Sequence, residues 1–383
     1  MRGACGERRS WPPLCHESYP QVSLRQTLVG YRFQWCAKPG LMMSLRTLAR
    51  MMYWSIRKDW RVFPHLTTVL AGWLTKLGTL RARGLAGRGM VAIGLVEHLG
   101  DIVAAEPISR FARAEYPDAR IVWFARKPYM SVPAGFAAVD AVVGVTCLTE
   151  WLLLRACGMG DPAWDLHING RYCPRCQIPV LKIGAAAALD AETYYRSGNL
   201  LAVECRSAGI PVLTEGPLLP VDATASAAVD RLGLPARFAV VHCASNEASR
   251  DWPREKWVEL IAHILDDPGL AVIEVGSRPV VITRDAMRRR SLCGQLTIQQ
   301  TAELLRRAAL FIGIDSGPAH IANAVGTPGV ILLCNYKGFG AYMPYSGRYQ
   351  TGDRAEIVRT DGTMESLAVA PVLAAVRHLL GDL

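Results

Sequence analysis

The sequence predicts an α/β protein made of two parallel-sheet halves, and three observations carry that prediction. Short apolar runs alternate with amphipathic stretches from about residue 90 to the end, the pattern of repeated βαβ units. Turn and capping residues fall at the junctions: Pro117-Asp118 closes one helix, Pro253 opens a second and Thr297 a third. The chain has 383 residues and 51% hydrophobic content, enough for two cores.

Charge is distributed unevenly. Residues 1–89 hold 15 Lys/Arg and 3 Asp/Glu, whereas the other 294 hold 28 and 30. The net charge of +10 therefore belongs to an N-terminal extension on a nearly neutral body, and the overall charge gives no support to a nucleic-acid partner. Eleven cysteines, an odd number without a repeating framework, and the lack of a leader pattern point to free thiols in a reducing cytoplasm. No apolar run reaches the roughly 20 residues that span a bilayer.

Residues 1–40 show no periodicity and read as disordered, with Met42 and Met43 as plausible starts. Residues 41–61 have helical spacing, with Leu45, Leu48, Met52 and Ile56 on one face and Arg46, Arg50 and Arg57 on another. A second helix follows, with Leu66, Val69, Leu70, Trp73, Leu77 and Leu80 as its stripe. Basic amphipathic helices carrying Trp and Tyr suit an anionic membrane surface; the competing reading is a helical hairpin docked on the body with solvated arginines. The localised charge favours the membrane. Gly84, Gly87 and Gly89 precede the first strand, whereas a dinucleotide fingerprint needs its glycines after one.

In the first half, Met90–Val96, Arg120–Ala125, Ala141–Val145 and Trp164–Ile168 read as strands, and Ile108, Phe111 and Ala112 mark a helix. The loop Glu97-His98-Leu99-Gly100-Asp101 follows the carboxyl end of the first strand, where open α/β sheets place their ligands. Cys173-Pro174-Arg175-Cys176 lacks a second pair at zinc-ribbon spacing. His167 and Cys205 are conceivable further ligands, but a turn with two free thiols is favoured and no metal is expected. Residues 185–208 are Ala-rich and read as helix.

Pro217–Pro220 reads as a crossing to the second half, whose strands are Phe238–Cys243, Leu270–Val275, Phe311–Ile314 and Ile331–Leu333. A polar loop with Ser245 and Arg250 follows the first of these. Asp266-Asp267 reads as a cap or turn and Arg288–Arg290 as a solvated face. After Phe311–Ile314, Asp315-Ser316-Gly317-Pro318-Ala319-His320 breaks the strand and opens a helix. Ser316 suits the N-cap and Pro318 the first turn. Such a helix start aims unpaired N–H groups and the positive dipole end outward, ready for a diphosphate, with His320 as a further donor; an ordinary capped βα turn is the equal alternative. The chain thus divides into a basic extension (1–88), two α/β halves (89–218 and 219–365) and a last helix (366–383) that packs back on the first half.

Three motifs in this order resemble glycosyltransferase family 9, the heptosyltransferases of lipopolysaccharide core assembly: Gly100-Asp101-Ile102-Val103 with Pro107, Arg250-Asp251-Trp252-Pro253, and Asp315 to His320 with Gly326-Thr327-Pro328. The resemblance covers about residues 89–340 and implies two facing Rossmann-like domains, the GT-B arrangement. It also implies inverting sugar transfer without a metal or resident cofactor, the nucleotide sugar being a substrate. By position, Asp101 matches the general base, Arg250 the cation on the donor diphosphate and Ser245 a hydroxyl in the same loop. Asp315, Ser316, Gly317 and His320 match the donor-binding loop. Val96-Glu97-His98-Leu99 and the basic extension depart from the family pattern. The expected partners are a nucleotide-sugar donor such as ADP-heptose, an anionic lipid-linked saccharide and the cytoplasmic face of the inner membrane. A non-hydrolysing nucleotide-sugar epimerase and a non-catalytic sugar-binding relative are the competing functions.

Overall fold

The computed structural model describes residues 44–84, 88–284, 286, 288–335 and 342–381. The expectations for residues 1–40, for Met42 and Met43 and for Gly87 lie outside them. The chain enters through helices α1 (Leu45–Lys58) and α2 (Phe63–Ala82), joined by a single 3-10 turn. Ser44 caps α1 by accepting the Thr47 N–H, and Asp59 caps the turn. The first half then comprises β1 (Arg88–Gly94), α3 (Leu99–Ala104), α4 (Glu106–Glu115), β2 (Arg120–Arg126), β3 (Ala141–Val145), α5 (Leu148–Ala156) and β4 (Asp161–Asp165). Its strands form a parallel sheet in the order β3-β2-β1-β4.

Helix α6 (Leu200–Ala208) follows. The second half holds α7 (Ala223–Asp230), β5 (Phe238–His242), α8 (Arg254–Ile264), β6 (Ala271–Glu274), β7 (Arg289–Ser291), α9 (Ile298–Arg307), β8 (Leu310–Ile314) and α10 (Gly317–Val325). It closes with β9 (Gly329–Cys334), α11 (Arg348–Thr351), β10 (Ala355–Thr360) and α12 (Val369–Gly381). Its six strands are also parallel, in the order β10-β9-β8-β5-β6-β7. Strands β5, β6, β8 and β9 are buried along their whole length, as parallel strands covered on both faces must be. One apolar cluster runs through both halves, from Val91 and Trp123 to Phe311 and Ile331.

Four expectations are corrected. The Ala-rich stretch yields only 3-10 turns at Gly184–Ala188 and Tyr194–Arg196, and the helix starts at Leu200. The Asn199 side chain accepts the Ala202 N–H there, so a local cap outweighs the weak preference of alanine for helix. Arg289 and Arg290 lie in β7, paired with β6, while Arg288 and Arg290 donate to the carbonyls of Leu265, Asp267 and Leu232. The last helix packs on the second half: Val372, Ala375, Val376 and Leu379 of α12 join Val330 and Leu332 of β9 in one core cluster. The apolar stripe of the N-terminal helices is not free for a membrane. Leu48, Met52, Leu66, Val69 and Leu80 are buried with Phe124, Trp151 and Leu152, and Lys76 of α2 pairs with the buried Glu150. The two helices are a hairpin docked on the first half. Asp266 and Asp267 behave as read: Asp267 accepts the Gly269 N–H and pairs with Arg237.

The halves meet where the amino ends of α3 and α10 cross. A Cβ on Gly100 would lie 2.7 Å from Cδ2 of His320, and one on Gly317 would lie 2.7 Å from Cδ2 of Leu99. Only glycine at both positions permits the approach. Replacing Gly100 by Ala is expected to destabilise the protein by about 1–3 kcal/mol in denaturant unfolding, because buried His320 has nowhere to go. Gly78→Ala, with nothing within 4 Å on the exposed side of α2, should instead stabilise by about 0.5–1 kcal/mol. Equal effects of the two would mean that the crossing is loose.

Candidate functional site

Both sheets present their carboxyl ends to one cleft of about 350 Å³, lined by Glu97, His98, Asp101, His167, Arg171, Tyr194, Glu204, Arg250, Asp315, His320 and Tyr342 among others. The lining residues come from the loops after β1, β4, β5 and β8, where a parallel sheet leaves room for ligands. The first half thus supplies Asp101 and Arg171, and the second supplies Arg250, Asp315 and His320.

Asp315 organises the second side. Its Oδ1 accepts the Tyr345 hydroxyl at 3.0 Å and lies 3.8 Å from His320 Nε2, and its Oδ2 lies 3.6 Å from the Arg250 guanidinium. The His320 ring packs against Tyr345 with centroids 4.7 Å apart and the planes tilted by 46°. Burial lowers the His320 pKa below the ordinary histidine value, against the pull of Asp315 and Asp101, which keeps the ring neutral near pH 7. Ser316 occupies the N-cap position of α10, but its hydroxyl donates to the Ile314 carbonyl and caps nothing. The first turn of the helix is left without a side-chain cap, which favours an anionic ligand there.

Asp101 sits in the first turn of α3, half-buried, and among the described residues its carboxylate has no hydrogen-bond partner. Burial raises its pKa above the ordinary carboxylate value, against the charges of Arg171 and His320. A raised carboxylate facing a cleft has the properties of a general base. Ser245 is placed differently. Its hydroxyl donates to Asp251 Oδ1 and to the Glu247 carbonyl and shapes the loop that carries Arg250, so it is not brought to the cleft lining. Gly317 contributes through its close contact with Leu99.

Sequence reasoning missed Arg171, Tyr194, Glu204 and Tyr345. Arg171 bridges toward Glu97 at 3.9 Å and contacts His98, the two residues that depart from the family pattern. His98 adopts φ 65 at the start of α3, which turns its ring toward Arg171. Glu204 is the one of these with a sequence signal, a lone carboxylate among Leu200, Leu201, Val203 and Cys205. The conceivable metal ligands His167 and Cys205 are engaged elsewhere. His167 Nδ1 contacts Asp165 Oδ1 at 2.6 Å and its Nε2 accepts the Val96 N–H. Cys205 lies in the apolar cluster shared by the two halves, away from that of Cys173.

Neither oxygen of Glu204 has a hydrogen-bond partner among the described residues, and burial raises its pKa well above the ordinary value. The folded state thus binds a proton that the unfolded chain releases, so this group costs stability increasingly as pH rises from about 4.5 toward its folded value. Glu204→Gln is expected to raise Tm by a few degrees at pH 7.5, with the difference vanishing near pH 4. A pH-independent effect would show that the carboxyl is already ionised in the fold.

Comparisons with known proteins bear on the family and the fold. Residues 214–348 match the family model described as glycosyltransferase family 9 (heptosyltransferase). That segment contains the Arg250 and Asp315–His320 motifs. Lipopolysaccharide heptosyltransferase 3 of Escherichia coli is 36% identical over 104 residues, 24% of this chain and 29% of that protein. Its counterpart in strain K12 is 27% identical over 171 residues, 40% and 49% of the two chains. The chain thus spans less than half the length of these curated relatives. A solved family 9 glycosyltransferase from Veillonella parvula superposes with TM-score 0.59 at 16% identity, covering 78% of this chain and 99% of that one. E. coli ADP-heptose lipopolysaccharide heptosyltransferase II gives 0.57 at 16% identity, covering 76% and 99%. The fold is therefore GT-B, two Rossmann-like sheets facing one cleft, as the resemblance implied.

Proposed function

With residues 214–348 carrying a glycosyltransferase family 9 segment, we propose that the chain is an inverting glycosyltransferase that moves a heptose from ADP-heptose to a lipopolysaccharide core saccharide. One observation carries this reading: Asp101 from one sheet and Arg250, Asp315 and His320 from the other line the same cleft. The acceptor hydroxyl gives its proton to Asp101 while its oxygen attacks the anomeric carbon. The bond from that carbon to the diphosphate oxygen breaks on the opposite face, and ADP leaves. Arg250 and the uncapped start of α10 stabilise the charge that grows on the diphosphate, a role that needs no metal when the groups are held in place. Asp315 positions Arg250, and neutral His320 can donate a hydrogen bond without repelling it. The donor assignment rests on the relatives, one named for ADP-heptose.

The acceptor of such a reaction is embedded in a bilayer, and the docked hairpin offers a surface for it. Opposite its buried stripe it exposes Tyr53, Trp54, Trp60 and Phe63, with Trp60 75% exposed. Arg46, Arg50, Arg57, Lys58 and Arg61 are exposed beside them, and Arg57 lies over the Trp54 ring. Aromatic rings at headgroup level and basic side chains, each worth about 1 kcal/mol at an anionic surface, suit peripheral attachment at the inner membrane. No helix among the described residues is long and apolar enough to cross a membrane.

Two measurements test these readings. Asp101→Asn is expected to keep thermal stabilisation by ADP and to lose about 10²–10⁴-fold in turnover. Turnover within tenfold of the parent would remove Asp101 as the base, and stabilisation by another nucleotide in preference to ADP would change the donor. Trp54→Ala combined with Trp60→Ala should sharply reduce sedimentation with anionic phospholipid vesicles at unchanged Tm. Undiminished binding would remove the hairpin as the attachment surface.

A further inference from the structure

The docked hairpin closes over a cluster of three thiols and an imidazole that the transfer reaction does not use. His65 comes from the first turns of α2, Cys147 precedes α5, and Cys173 and Cys176 come from the turn after β4. One ligand atom each from His65, Cys147 and Cys176 lie within 4.8 Å of one another. The Cys173 thiol adjoins those of both Cys147 and Cys176. All three cysteines are free and buried. Nε2 of His65 is buried and has no hydrogen-bond partner among the described residues.

The local geometry suits a soft cation. Cys147 Sγ and Cys176 Sγ are 3.8 Å apart, well beyond a disulfide and equal to the edge of a tetrahedron with metal–sulfur distances of about 2.3 Å. The Cys173 turn is built as a knuckle around its sulfur: the Cys176 N–H points at Cys173 Sγ at 3.4 Å, and Gln177 takes φ 55 to reverse the chain. The Gln177 N–H returns to the Cys173 carbonyl, and the Cys173 N–H to the Ile178 carbonyl. Ser55 of α1 donates to the Cys176 carbonyl at 2.6 Å, so both hairpin helices are tied to the knuckle.

We propose that His65, Cys147, Cys173 and Cys176 form a closed, four-ligand zinc site that fastens the N-terminal hairpin to the first half. Three thiolates and one neutral imidazole fill a tetrahedral shell and leave no position for substrate, so the ion is structural. Binding displaces the protons of the three thiols and joins segments distant in sequence, which makes metal affinity part of folding stability. The knuckle also carries Arg171 into the cleft two residues before Cys173, so the ion would brace one wall of the site without touching it.

The test is metal content of the full chain, purified without chelator and measured by plasma mass spectrometry. About one zinc per chain is expected, retained in Cys157→Ser, whose thiol lies outside the cluster, and lost in Cys173→Ser and Cys176→Ser. Because buried cysteine variants can fail to fold, His65→Ala gives a second reading. It leaves the thiols in place and should release zinc to a chromogenic chelator at least tenfold faster at an unchanged circular dichroism spectrum. Parent protein without zinc, one equivalent of iron in its place, or zinc held equally by parent and His65→Ala would each overturn the assignment.

Discussion

The crossing of α3 over α10 is the contact on which the site depends. Two helix starts, each following a strand of a different sheet, approach until Gly100 meets His320 and Gly317 meets Leu99. Any side chain at either glycine would push the sheets apart and open the cleft. The same approach brings the first turn of one helix, with Asp101, opposite the start of the other, with Asp315 just before it and His320 in its first turn. Packing and chemistry therefore share residues. The two motifs are coupled by van der Waals contact, although more than two hundred residues separate them.

Among the described residues, five carboxyl groups (Glu97, Asp101, Glu204, Glu247 and Asp315) and the guanidinium groups of Arg171 and Arg250 line the cleft, and their surroundings differ. Asp315 is held by Tyr345 and faces Arg250, so its side chain is fixed in place to orient that guanidinium. Asp101 lacks such partners, and its environment favours taking up a proton. Glu204 is almost fully buried, and burial pushes its carboxyl well above the ordinary value. Charged groups removed from water either pair or neutralise, and this site shows both outcomes side by side.

The N-terminal hairpin shows why charge alone misjudges an amphipathic helix. Its localised charge favoured a membrane anchor over a docked element, yet periodicity defines a face without naming what covers it. The fold covers the stripe with Trp151, Leu152 and Phe124 and leaves Trp54 and Trp60 outside. The helices are thus part of the body, and their exposed aromatic and basic residues form a separate surface.

The sequence by itself determined the four strands of the first sheet and the four inner strands of the second, the parallel class, the order of the three motifs and the cap at Thr297, since alternation, caps and turns are local signals. It also marked Asp101, Arg250 and Asp315 to His320. Tertiary structure decided what depends on distant partners. Ser245 and Ser316 turned their hydroxyls onto the backbone and onto Asp251, choices made by loop geometry that no spacing encodes. The edge strands β7 and β10 formed because a neighbouring strand was there to pair, though neither has the apolar run of a central strand. The last helix found its groove beside β9 because its apolar face fits there, whereas its own periodicity was equally suited to the first half. Glu204, Arg171 and the meeting of His65 with Cys147, Cys173 and Cys176 were invisible for the same reason: each is a lone residue until the fold brings its neighbours within reach.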